Sequence, residues 1–128
     1  MVEFALVAGL FVLILYALIY FGMALATKQR VTNAAAEGAR AAVGAATAGD
    51  AQTVAQNRVL DLLGTANGRY TVTPVAGPCT TSAPTGPQCI KVTITYDWGG
   101  HPVVPAAPGL GLLPVSSLGS TATVQYSG

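Results

Sequence analysis

The chain has 128 residues, of which 52% are hydrophobic and only 9% charged, far below the roughly 25% charge of an ordinary soluble domain. A formal net charge of +1 supplies no basic face or stripe, which excludes nucleic acid as a partner. The apolar excess is concentrated at the N-terminus, and the remainder has room for one small domain whose core alone would be marginal.

The first element is a long apolar helix. From Phe4 to Thr27 there is no Asp, Glu, Lys, Arg, His or Pro. At about 1.5 Å per helical residue this run reaches roughly 36 Å, enough to cross about 30 Å of bilayer hydrocarbon. A secretory signal peptide is the competing reading, but its apolar centre spans about 7 to 15 residues and follows basic ones. Here the run is longer, and Glu3 is the only charge before it. Tyr16 and Tyr20 fall in mid-run, where a lipid-facing helix prefers aliphatic residues, and so point to protein neighbours.

Two signals bear on orientation. Lys28, Arg30 and Arg40 all follow the span, which by the positive-inside rule would leave the C-terminal part in the cytoplasm. Cys79 and Cys89, in the loop PCTTSAPTGPQC, argue the reverse. A disulfide there would restrict the unfolded chain by about 3 kcal/mol and would persist only in an oxidising compartment. Two free thiols are the alternative, although a loop without His or further Cys offers no metal site. The signals agree if a basic leader has been removed, so that the mature amino end lies at or just before Met1.

Beyond the span, VTNAAAEGARAAVGAATAG remains helical but consists mostly of Ala and Gly, with Glu37 and Arg40 three apart and able to pair. Such small surfaces let helices approach closely. The alternative, a solvated helix of good helix formers, is opposed by the shortage of charge. Asp50 is the expected N-cap of a second helix, AQTVAQNRVLDLL, closed by Gly64. Its Ala51, Val54, Ala55, Val59, Leu62 and Leu63 follow a 3.6-residue period, which makes it amphipathic.

Three segments then alternate with period two: Tyr70 and Val72; Ile90, Val92, Ile94 and Tyr96; Ala122, Val124 and Tyr126. The positions between them are largely threonine, as on a solvated sheet face. The fold class is α+β: an N-terminal helix over about 2–47, and a short second helix over about 50–63 packed on a small three-stranded antiparallel sheet with a long Gly/Pro loop. Residues 1–47 form a membrane-spanning or filament-core helix and 48–128 a small exported head domain.

No catalytic set is found. His101, the single histidine, lies between Gly100 and Pro102 without a Cys or carboxylate cluster nearby. Asp97 and Trp98 are expected to end a strand and anchor a loop. The GLG of PGLGLLP is too short for a phosphate cradle. The expectation is a protein that is not an enzyme and uses no metal or other cofactor.

VEFAL at Val2–Leu6, the long apolar run, TNAAAEGAR at Thr32–Arg40, a second short helix and the tail VTITYDW…LGSTATV together resemble the TadE-like branch of the tight-adherence (Tad) pilins, in the type IV pilin superfamily. The resemblance covers essentially the whole chain, and its specificity lies in the combination of the first and third features. It implies a precursor cut by a prepilin peptidase just before the apolar helix. The subunit then leaves the inner (cytoplasmic) membrane, through the pilus assembly machinery, for an extracellular surface filament. The superfamily's carboxylate is usually fifth in the mature chain, whereas here it is Glu3. That departure implies either residues preceding the given start or different processing.

An unpaired carboxylate in a bilayer costs about 3 kcal/mol on insertion scales. Paired with the N-terminal ammonium of an adjacent subunit, Glu3 would fix the axial register of a helical fibre, one heterologous contact repeated without closure. A carboxylate at headgroup level, favoured by the helix N-terminus, is the alternative. The expected filament core comprises Phe4, Leu6, Val7, Gly9, Leu10, Leu13, Ile14, Ala17 and Phe21. Partners are copies of the chain itself and other pilins. A minor pseudopilin or assembly component is the competing role, one the resemblance favours because TadE-like proteins are usually minor components. A single-pass membrane protein with a small binding domain would need neither Glu3 nor the Ala-rich continuation. Thr80, Thr81, Ser82 and Thr85, interleaved with prolines, are candidate O-glycan acceptors.

Overall fold

The computed structural model describes residues 2–64, 68–80, 86–100 and 116–126. Helix α1 (Val2–Ala41) runs into a single 3-10 turn (Ala42–Gly44) and is followed by α2 (Ala48–Leu63), then strands β1 (Tyr70–Pro78), β2 (Gln88–Asp97) and β3 (Ser117–Tyr126). The strands form one antiparallel sheet in the order β1-β2-β3. This is the α+β arrangement expected from the sequence. The long connection between β2 and β3, including His101, lies outside the described residues, as do Thr81, Ser82 and Thr85.

The helix boundaries differ from expectation for a local reason. Thr47, not Asp50, caps α2: its hydroxyl accepts from the Asp50 N–H at 3.2 Å and donates to Asp50 Oδ2 at 2.8 Å. The pair resembles a capping box with an acid at the third helical position, except that the acid takes the Thr47 hydroxyl proton in place of the Thr47 backbone N–H. Because Thr47 must be extended to act as cap (φ −132°, ψ 159°), the preceding helix cannot run to residue 47. It tightens at Ala42–Gly44 and ends at Ala45, which is extended and returns its N–H to the Ala42 carbonyl at 3.1 Å.

The period-two pattern becomes register. Ile90 faces Ala76 and Val124, Val92 faces Pro74 and Ala122, and Tyr96 faces Tyr70 and Leu118. The central strand therefore buries Ile90, Val92, Ile94 and Tyr96 in a row on one face. The other face carries Thr71, Thr73, Thr93, Thr95, Thr121 and Thr123, with the Thr93 and Thr121 hydroxyls 3.3 Å apart. Both helices cover the apolar face, α1 against β2 and β3, and α2 mainly against β1.

α1 contributes Tyr20, Ala24, Val31, Ala34, Ala35, Gly38 and Ala39 to this core, at helical spacing on one face. From α2 come Ala51, Ala55 and Val59. Val54 and Leu62, which share the expected apolar period, are exposed instead. The buried stripe of α2 is narrow because it meets another stripe of small residues at close range. A Cβ added at Gly38 would lie 2.6 Å from Val59 Cγ2 and 3.1 Å from the Ala55 carbonyl oxygen. The side-chain stretch read as suited to close approach is thus used within the chain itself.

Gly38→Leu is expected to destabilise the full chain in detergent by about 1–3 kcal/mol through overpacking. Thermal unfolding checks this, and adding Val59→Ala should recover part of the loss.

Candidate functional site

The first half of α1 carries most of the exposed large apolar residues. Within it, Phe4 is 80% exposed and Leu13 57%, and Leu6, Val7, Gly9, Leu10 and Ile14 are exposed alongside them. Ala17 is half-buried and Phe21 exposed. These are the residues read as filament core, and they project from the head on a helix long and apolar enough to cross a membrane. Glu3 lies in the first turn, exposed, where the helix dipole favours a negative charge.

At Tyr20 the surroundings of the helix change. Tyr20 is 6% exposed, and its hydroxyl accepts a 2.8 Å hydrogen bond from the Trp98 indole N–H at the end of β2. The two rings meet edge to face at 5.7 Å. Buried Trp N–H and Tyr O–H groups each require a partner, and here they supply one another. The cluster continues from Trp98 to Tyr96 (5.9 Å) and from Tyr96 to Tyr70 (5.0 Å). Burial, followed by the neighbouring Tyr70, pushes the Tyr96 hydroxyl above its ordinary pKa. The protein neighbour to which Tyr20 pointed is therefore the chain's own head. Trp98, expected to anchor the loop, which lies outside the described residues, is in contact with α1. That pairing bridges 78 positions in sequence and leaves no local pattern by which to find it.

Cys79 and Cys89 are bonded at the opposite end of the sheet, with Cα atoms 4.8 Å apart. The bond closes the β1–β2 loop next to the Gly77–Cys89 pair, and the Cys79 N–H donates to the Pro87 carbonyl at 3.0 Å. Thr80, within this loop, is exposed. Glu37 and Arg40 pair at 3.3 Å on the exposed side of α1, a contact worth little in water.

The family model described as TadE-like protein matches residues 1–40, which takes in the whole of α1 except its last residue. Over those forty residues the chain is similar to that family. Comparison with curated proteins and with solved structures found no match. The TadE-like segment contains both VEFAL and TNAAAEGAR, and so both the exposed apolar half of α1 and the half seated in the head. A TadE-like match together with an apolar N-terminal helix fits a Tad pilus-related protein.

Tyr20→Phe leaves the Trp98 N–H buried without its acceptor and is expected to cost about 1–3 kcal/mol. A double-mutant cycle with Trp98→Phe, read by chemical unfolding, should show the two effects falling well short of additive.

Proposed function

We propose that the protein is a structural, non-catalytic pilin subunit. It polymerises through the exposed half of α1 into an extracellular Tad-type filament used in surface attachment. The observation that carries this reading is the division of one helix at Tyr20: large apolar residues are exposed before it, and the head core is packed after it. Exposed apolar surface of this extent marks a membrane or protein contact, and a subunit that moves from bilayer to fibre requires both in turn.

In this reading the chain resides in the cytoplasmic membrane until the assembly machinery extracts it, after processing by a prepilin peptidase. In the fibre, its apolar half packs among identical helices and other pilins. Glu3 pairs with the terminal ammonium of a neighbour and sets the axial step. A carboxylate left without that partner in a low-dielectric bundle destabilises docking by about 3–5 kcal/mol. The second reading is a minor pseudopilin or membrane-resident assembly component. It is favoured by the TadE-like match, since the resemblance implies a minor role for such proteins.

Shearing cells and weighing this chain against the other components of the recovered filaments separates the two readings: a bulk component supports the first and a trace component the second. Glu3→Gln should leave membrane insertion intact and sharply reduce incorporation into filaments. Wild-type incorporation of that variant would refute charge pairing.

A further inference from the structure

Helix α1 passes from a free segment to one seated in the head at Tyr20, yet its apolar character continues beyond that point. On the sides that the head leaves open, Phe21 is 46% exposed, Met23 40% and Leu25 61%. The first cations are Lys28 and Arg30, both exposed. A hydrocarbon layer of about 30 Å takes up about 20 helical residues. Counted from Phe4, it ends near Met23, and a tilt of about 20° moves that limit by only about one residue. Tyr20 and Trp98 thus lie about 5 Å inside the boundary, and the head's aromatic base cannot stand clear of the bilayer.

The chemistry of the base suits that depth. Of the aromatic cluster there, Tyr20, Trp98 and Tyr96 are buried within the head and Tyr70 is half-buried, so the apolar surface offered to lipid at that depth is that of Phe21, Met23 and Leu25. Arg69, exposed at the start of β1, is held at the same end, because its carbonyl accepts from the Asp97 N–H at 3.0 Å. Two acids lie near these groups: the Asp97 carboxylate, which accepts from the Gly100 N–H at 3.0 Å within the turn, and Glu37, which lines one cavity with Arg30 and Tyr70. Lys28 lies about 6 Å along the helix beyond the last buried residue of the base, Ala24, within reach of lipid phosphates for a side chain that extends its charge outward.

We propose that the base of the head is a phospholipid-binding surface. Lys28, Arg30 and Arg69 engage anionic headgroups, the aromatic cluster sits at interfacial depth, and the head stands on the bilayer with its disulfide end outermost. This rests on the reading of α1 as membrane-resident before assembly. It gives the surface a role in that state: the bilayer holds the head at a set height and places Glu3 at the opposite boundary.

Trp98 is the chain's single tryptophan and reports its own depth. The full chain in nanodiscs is probed with nitroxide-labelled lipids carrying the label at the headgroup, high on the acyl chain, or near its methyl end. Trp98 emission is expected to be lost most with the first two and least with the third. In a Phe11→Trp, Trp98→Phe variant, the label near the methyl end should quench most. Quenching of that variant with none at Trp98 overturns the seat and leaves the membrane reading standing, whereas loss of both overturns the membrane reading too. Adding phosphatidylglycerol to phosphatidylcholine discs should increase headgroup quenching of Trp98. Replacing Lys28, Arg30 and Arg69 by Gln should abolish that increase, and an unchanged increase would refute the phosphate contact.

Discussion

Water tolerates an apolar helix only where something covers it, and α1 meets this constraint in two ways along its length. From Tyr20 onward a single stripe faces the head, and the head covers it with β2, β3 and α2. Before Tyr20 the apolar residues lie all round the helix, and the large aliphatic and phenylalanine side chains among them are exposed. That half is stable only in hydrocarbon or against other helices. The head can be small because α1 supplies much of its core, which compensates for the marginal burial available to so short a chain.

Two contacts hold the shared helix in place. Near its C-terminal end, Gly38 lets α1 lie almost backbone to side chain against α2, so the helix pair closes on small residues instead of large ones. Near the boundary, the Tyr20–Trp98 hydrogen bond ties the base of the sheet to the point where the helix becomes free. The disulfide fastens the far end of the sheet, between the end of β1 and the start of β2. The head is thus fastened at both ends of its central strand, and α1 emerges from it at a fixed place, as a contact repeated along a fibre requires.

Much of this was legible in the sequence because it depends on local periodicity. The absence of Pro and charge over Phe4–Thr27 gave the helix, and alternation at Ile90, Val92, Ile94 and Tyr96 gave the central strand and its buried face. The Cys79–Cys89 bond followed from redox chemistry and loop length. Legibility failed where two rules competed or where the partner was distant. Thr47 and Asp50 both cap helices, and the reciprocal bond that assigns Thr47 the cap also ends the preceding helix early. Val54 and Leu62 have the right period for the core, but the narrow contact set by Gly38 leaves them outside it. The role of Trp98 depends entirely on a tyrosine in the apolar run, and no spacing rule connects them.

One continuous helix is divided at Tyr20 between an outside surface and the head core. Photo-crosslinking from single positions along α1, in cells making the full chain, tests it most directly. A photoreactive residue at Leu13 is predicted to capture lipid or another polypeptide, one at Val31 to capture only β2, β3 or α2 of its own chain, and one at Tyr20 to capture both. Capture of lipid or another polypeptide from Val31, or of the chain's own strands from Leu13, would rule out that division of the helix.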